Sequence, residues 1–331
     1  MHSFNRREFA KLVGGAGLAA VGTSAGVGDA VAQGTAPGIG GRARPKVVII
    51  GGGAGGGTLA HVLRRGTPEI EVTLIEAQQR YTTCFFSNLY LGGFRSLESI
   101  THDYSGLTSI GVRVVHDFAT AVDLRAKTVG LQGGQKIPYD RLVVSPGIDF
   151  KFGAIPGYSE AAAGIMPHAY KGGAQSKLLF DQLNAMPDGG VVVLAAPPNP
   201  YRCPPGPYER ACMIAHYLKT KKPRSKLVIL DPKRAFSKQA LFVEAFTKDY
   251  KGIVDLHLSN EIDNFALKSV NPRTMEIETV SGLKIKASVA NIIPAQQSGL
   301  IAKAAGLAEG DWCPIDPENF MSKKAKDVYV I

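Results

Sequence analysis

The stretch that decides the fold is Lys46-Val47-Val48-Ile49-Ile50, followed at once by Gly51-Gly52-Gly53-Ala54-Gly55-Gly56-Gly57 and then Thr58-Leu59-Ala60-His61-Val62-Leu63-Arg64-Arg65. A short continuous apolar run reads as a buried strand, and the spacing after the glycines reads as a helix. Strand, glycine turn and helix is the order that a dinucleotide-binding unit requires. Gly51, Gly53 and Gly56 satisfy G-x-G-x-x-G. The first permits the tight turn, the second lets a pyrophosphate approach the backbone, and the third lets the helix close on the strand. The helix N-terminus then faces the anion. A second apolar strand, Glu71-Val72-Thr73-Leu74-Ile75, ends at Glu76, 20 positions after Gly56, where an acid binds ribose hydroxyls. The bland alternative is a merely structural glycine turn, and the motif alone leaves NAD and FAD both open.

Outward from that unit, 331 residues with 45% hydrophobic, 20% charged and 8% aromatic content predict a folded chain of about two domains. The 38 glycines show no collagen period and gather near the start and in turns, which excludes a fibrous protein. Thirty-eight Lys and Arg against 28 Asp and Glu give +10, a balance that suits nucleic acid, an anionic substrate or an acidic partner. The run Lys219 to Lys226 reads first as a solvated face. Four scattered cysteines, Cys84, Cys203, Cys212 and Cys313, make no disulfide scaffold and no zinc site, so no metal is expected.

Asn5-Arg6-Arg7-Glu8-Phe9-Ala10-Lys11 precedes a mildly apolar Gly/Ala-rich run and a small-residue cleavage site at Ala30-Val31-Ala32. This reads as a twin-arginine export signal over residues 1–32, with a flexible linker over 33–44. The run is too short and glycine-rich for a transmembrane helix. The expected location is the periplasm, reached in the folded state, where thiols persist as disulfides. Such an address speaks against nucleic acid as a partner and mildly for a redox enzyme.

Ile137-Pro138-Tyr139-Asp140-Arg141-Leu142-Val143-Val144-Ser145-Pro146-Gly147 resembles the stretch that re-crosses the FAD domain of two-dinucleotide-domain flavoproteins, which decides for FAD in the first unit. The second unit of such proteins binds NAD(P)H. Here Val191-Val192-Val193-Leu194 supplies its strand and Pro207 to Thr220 its helix, but the turn between them, Ala195 to Gly206, has lost the glycines to prolines and bulky side chains. Close approach of a pyrophosphate is obstructed, so no NAD(P)H is expected, and Asp231 at the end of Lys226-Leu227-Val228-Ile229-Leu230 reads as a relic of a ribose-binding acid. The chain is thus expected to be α/β, with two Rossmann-like units: an FAD-binding domain over 45–156 and 295–331, and a degenerate NAD-type domain over 157–294.

Cys203 stands in a proline-rich loop where a helix begins, beside Arg202, a setting expected to favour its thiolate. Cys84 follows the ribose-binding strand. Taken singly, each is as readily inert packing as chemistry. The chain as a whole, however, closely resembles the flavoprotein subunit of flavocytochrome c sulfide dehydrogenase, in the superfamily that also holds the sulfide:quinone oxidoreductases. The resemblance rests on Tyr81 to Gly93, Cys203-Pro204-Pro205-Gly206-Pro207-Tyr208-Glu209-Arg210-Ala211, Ser225 to Asp231, Phe236-Ser237-Lys238-Gln239 and Gly310 to Asp316, and it covers essentially the whole chain.

That resemblance implies a thioether from Cys84 to the flavin, a redox disulfide containing Cys203 that hydrogen sulfide attacks, Glu209 as the proton-accepting carboxylate, and a c-type cytochrome subunit as electron acceptor. For Glu209 the alternative is a first-turn acid complementing the helix dipole; Cys212 and Cys313 read as packing. Asp327-Val328-Tyr329-Val330-Ile331 reads as a strand. In the resembled family it leads into an FAD-binding Gly-Asp motif and a C-terminal domain that supplies the second disulfide cysteine. The expectation is therefore a partial sequence lacking that domain. The rivals are a sulfide:quinone oxidoreductase-like enzyme and a truncated, non-catalytic flavin-fold protein.

Overall fold

The computed structural model describes residues 44–331. The export-signal reading of residues 1–32 and nearly all of the linker lie outside the described residues. Two parallel sheets organise the rest. In the first unit β1 (Lys46–Ile50), α1 (Ala54–Gly66), β2 (Glu71–Ile75), α2 (Ser87–Leu91), β3 (Arg113–Val115) and β4 (Arg141–Val144) are followed by β5 (Ile148–Phe150) of a connecting pair. The second unit holds α3 (Ala174–Ala185), β6 (Val191–Ala195), α4 (Gly206–Lys221), β7 (Lys226–Asp231), α5 (Gln239–Lys248), β8 (Val254–Leu258) and β9 (Val289–Ile292). The chain returns through β10 (Gln296–Ser298) and ends in β11 (Val328–Val330).

The first sheet has the order β11-β4-β1-β2-β3 and the second β8-β7-β6-β9, with every pairing parallel. Strands covered on both faces are near-continuously apolar, which is why Val47 to Ile50 and Val192 to Ala195 are buried without alternation. In each unit helices cover one face and a three-stranded antiparallel sheet covers the other. Residues 119–138 pack on Val48, Ile50, Leu142 and Val144, and residues 267–286 pack on Val193, Ala195, Ala290 and Ile292. The same arrangement is therefore built twice.

The two units meet where β5 pairs antiparallel with β10, Phe150 opposite Gln296. Buried Tyr158 pins this crossing by donating to the carbonyls of Met166 (2.9 Å) and Ile292 (3.1 Å). Asp327, just before β11, is held by Lys127 at 2.7 Å and Arg141 at 3.1 Å. Among the described residues no helix is long and apolar enough to cross a membrane.

Candidate functional site

The glycine turn places its three key residues as the motif requires. Gly51 has φ +98°, and a Cβ there would stand 2.1 Å from the Ser145 carbonyl oxygen. A Cβ on Gly56 would stand 2.0 Å from the Gly51 carbonyl oxygen, so α1 lies directly on β1. Gly53 caps α1, and the space beside its Cα opens toward the Tyr81 ring. The first turn of α1 carries no acid, leaving the partial positive charge of the helix end free to meet an anion. Glu76 Oε2 accepts from Gly52 N–H at 2.7 Å and Oε1 from Gln78 N–H at 2.9 Å. Its carboxylate is thereby fixed at the C-terminal end of β2 with acceptor capacity remaining for hydroxyl groups. The Tyr104 hydroxyl donates to the Gly52 carbonyl at 3.1 Å and closes the back of the turn. This cradle fits the diphosphate and ribose of a dinucleotide.

Cys84 lies in the turn between the strand of Tyr81 and α2, its carbonyl accepting from the Ser87 hydroxyl at 2.7 Å. The preceding residues lean on the second unit: a Cβ on Gly172 would meet the Thr82 carbonyl oxygen at 2.4 Å. Cys203 is exposed on the loop before α4 in a left-handed conformation, φ 58°. Its carbonyl accepts from Gly206 N–H at 2.9 Å and from the Tyr170 hydroxyl at 3.0 Å.

Asn88 ties these segments together across more than a hundred residues of chain. Its Nδ2 donates to the Gly206 carbonyl (3.3 Å) and Glu209 Oε2 (3.4 Å), while its Oδ1 accepts from Arg210 Nε (3.3 Å). Cys84, Cys203 and Glu209, far apart in sequence, are thus brought to one place, with the exposed Glu209 in the first turn of α4.

One expectation is corrected. The Cys203 thiol is not lowered by Arg202 and the helix end; it is pushed up by burial of the sulfur among neighbouring atoms, then by Glu209 and Cys84, with the Gly206 amide and Arg202 opposing too weakly. The reason is where Arg202 points: its Nη2 donates to the Tyr170 carbonyl, and its guanidinium lies over the Tyr170 ring at 5.6 Å. Cys212 packs against the core of the second unit, its thiol pushed up to about 11 by burial, and Cys313 packs against the core of the first. Both are packing cysteines, as read.

Asp231 is fully buried. The Tyr208 hydroxyl donates to its Oδ2, and its Oδ1 receives Lys233 Nζ at 2.7 Å and Lys233 N–H at 2.9 Å. Lys233 Nζ reaches on to the Pro197 carbonyl at 2.6 Å. The residue read as a relic therefore has a structural occupation: through Lys233 it ties the proline loop to the end of β7.

Sequence reasoning gave no role to Asn88, Arg210 or Gln296. Arg210 is only 3% exposed and donates to the carbonyls of His168 (3.1 Å) and Ala169 (2.6 Å), to Asn291 Oδ1 (3.1 Å) and to Asn88. Burial pushes its pKa down to about 10. A signal was present: Arg210 falls on the apolar face of its helix, next to Ala211 and four residues before Ile214. Among the described residues no group of three or more His, Cys, Asp or Glu side chains gathers as a metal site would.

Residues 176–294 match the family model described as the sulfide dehydrogenase [flavocytochrome c] flavoprotein chain, central, and residues 45–179 match pyridine nucleotide-disulphide oxidoreductase. The chain is 30% identical to the sulfide-quinone reductase of Aquifex aeolicus over 271 residues, covering 78% of this chain and 60% of that one. It is 49% identical over 43 residues, 13% of its length, to 90% of the sequence of a sulfide dehydrogenase [flavocytochrome c] flavoprotein chain from Chlorobaculum thiosulfatiphilum. The X-ray structure of the sulfide:quinone oxidoreductase from Aquifex aeolicus superimposes with a TM-score of 0.69 at 24% identity, over 87% of this chain and 68% of that one. The fold is that of the FAD-dependent disulfide oxidoreductases. The chain spans about 60% of the Aquifex relative's length.

Proposed function

We propose, from the premise that this chain belongs to the sulfide-oxidising flavoproteins, that the complete protein oxidises hydrogen sulfide through Cys203 and passes the electrons to a c-type cytochrome subunit. What supports this is one coincidence of position. The region matched to the flavocytochrome c flavoprotein family contains the Cys203 loop and Glu209, and Asn88 fastens that loop to the Cys84 segment.

FAD, when bound in the Gly51–Gly56 cradle, supplies the two-electron acceptor. The chain's own residues do the rest. Hydrosulfide attacks the disulfide that contains Cys203; its sulfur bonds to one cysteine sulfur, the S–S bond breaks, and the other sulfur leaves as a thiolate. The proton lost from hydrosulfide passes to Glu209, whose position by Asn88 keeps it within the same cluster as Cys203. Cys84 holds the cofactor through a thioether, which retains it after export to the periplasm by the twin-arginine pathway. The second unit takes no NAD(P)H: its turn lacks glycine between Ala195 and Tyr201, and Lys233 is drawn across it to Pro197.

The test uses protein from the complete locus. Its absorption spectrum before and after acid precipitation, with mass spectrometry of the peptide, is expected to leave flavin on Cys84. Sulfide is then expected to reduce added cytochrome c. Flavin released to the supernatant, together with sulfide-dependent reduction of a short-chain quinone and not of cytochrome c, would establish the second reading. That reading is a quinone-linked enzyme, and the 30% identity to the Aquifex sulfide-quinone reductase favours it. Absence of flavin would leave a non-catalytic scaffold.

A further inference from the structure

The neighbourhood of Cys203 contains cations and hydrogen-bond donors that the steps above do not use. Arg202 N–H donates to Gln296 Oε1 at 2.8 Å, which fixes the orientation of the Gln296 amide. Gln296 is 3% exposed, and neither its Nε2 nor Arg202 Nε has a hydrogen-bond acceptor among the described residues. A buried donor left without an acceptor costs about 1–3 kcal/mol, so two of them, coupled through one hydrogen bond and adjoining the reactive cysteine, mark a place prepared for an acceptor group.

The charges agree. Lys171 is paired with Asp149, but neither Arg202 nor Arg210 has a carboxylate partner among the described residues. The two guanidiniums lie 5.6 and 5.4 Å from the centroid of the Tyr170 ring, whose hydroxyl holds the Cys203 carbonyl. Buried His168 accepts from Tyr170 N–H at Nδ1 and, by burial and then by Lys171, Arg210 and Arg202, is pushed down to about 3 and kept neutral. Beside Cys203 the structure thus holds two guanidiniums with no carboxylate in salt-bridge contact among the described residues, packed near the aromatic cluster of Phe150, Tyr170 and Tyr201, with the exposed Glu209 the acid of the same neighbourhood.

We propose that Arg202 Nε and Gln296 Nε2, supported by the charge of Arg210, form an anion subsite beside Cys203 that holds hydrosulfide before it reacts. The subsite rests on the assignment of Cys203 as the sulfur that sulfide meets. Two donors and two guanidiniums without a carboxylate in salt-bridge contact suit a small monoanion, and the aromatic cluster suits a polarisable one better than a strongly hydrated one.

The probe is thiocyanate, a polarisable sulfur-bearing anion, used with the flavin-loaded protein after reduction by a phosphine. Alkylation of Cys203 by iodoacetamide is followed by mass spectrometry as thiocyanate is titrated. Saturable protection is expected in the wild type. Gln296→Glu keeps the acceptor for Arg202 N–H but replaces the amide donor with a carboxylate, and is expected to raise the half-protecting concentration about tenfold or more. Gln297→Glu, one residue on, is expected to behave as wild type. Should Gln296→Glu fail to accumulate, Arg202→Met provides the same comparison.

No saturable protection in the wild type, or protection unchanged in Gln296→Glu or Arg202→Met, would overturn the subsite. So would loss of bound flavin from either variant without any wild-type protection, since the donors would then serve flavin carbonyls. Sulfide-dependent bleaching of the flavin, recorded on the same preparation without thiocyanate, separates the two failures: bleaching without protection removes the subsite alone, and no bleaching removes the assignment on which it rests.

Discussion

Gly56→Ala is the substitution whose effect the geometry fixes most directly. The added methyl would lie 2.0 Å from the Gly51 carbonyl oxygen and 3.0 Å from Ile49 Cγ2. Neither neighbour is a flexible chain end: one is backbone in a left-handed turn, and the other belongs to a side chain that is fully buried. The helix must therefore move off the strand by more than an ångström, and overpacking of this kind costs about 1–3 kcal/mol. At roughly 2–4 °C per kcal/mol for a protein of this size, Tm is expected to fall by about 4–8 °C for a 2 kcal/mol loss. Moving α1 also withdraws the amide groups around Gly53, so flavin absorbance per polypeptide is expected to fall with it. Gly66→Ala is the control. It sits at the last position of the same helix with no atom within 4 Å of its added methyl, and is expected to be neutral or to stabilise by up to about 1 kcal/mol. Equal Tm and equal flavin content in the two variants would refute the claim that the third glycine of the motif is there for close packing.

Three further outcomes follow from the site and its supports. Lys233→Met removes the cation from fully buried Asp231 and is expected to cost about 3–5 kcal/mol in chemical denaturation, much of it recovered in Asp231→Leu/Lys233→Met, because the lone buried charge rather than the lost attraction is the penalty. Glu209→Gln, on an exposed position, is expected to leave Tm within about 1 °C while slowing sulfide-dependent flavin reduction, as measured by stopped-flow absorbance. Asp327 is held below the usual carboxylate value of 3.8 by the Lys127 hydrogen bond and by Arg141. Its folded value being the lower one, its contribution is present above that usual value and is lost as pH falls through the folded value. The denaturation midpoint of wild type is therefore expected to drop more steeply than that of Asp327→Asn as pH falls below about 4.

The parts of the site legible in sequence were those whose chemistry is written in consecutive residues. Strand, glycine turn and helix follow one another from Lys46 to Gly66, and the acid at Glu76 closes the same βαβ unit, so local order was enough. The Cys203 loop stands out in sequence only through its family resemblance, since the cysteine taken singly reads as readily as packing. What adjacency could not give was orientation. Arg202 precedes Cys203 in the chain, yet its guanidinium turns back to the Tyr170 carbonyl, and the thiol is left to the influence of burial and Glu209. An aspartate at the end of a second strand reads the same whether it faces a ribose or an ammonium group; only the fold shows that Asp231 faces Lys233. Asn88 and Arg210 act over separations of 121 and 122 residues, between segments that each looked complete alone.

The comparison that carries most meaning is internal to the molecule. Both units have a parallel sheet, a helix following the first strand, and an antiparallel cover. In the first, the residues after β1 are glycines, and the space they leave is bounded by backbone that accepts no side chain. In the second, the residues after β6 include prolines and large side chains, and the buried Lys233 from beyond β7 crosses to the Pro197 carbonyl. Close approach of a diphosphate to backbone is what the glycines of the first arrangement permit. At the corresponding position, before the head of α4, the second unit holds a proline-rich loop with a cysteine at its exposed bend and a carboxylate in the first turn of the helix that follows, so one scaffold position carries a backbone cradle in one unit and side-chain groups in the other.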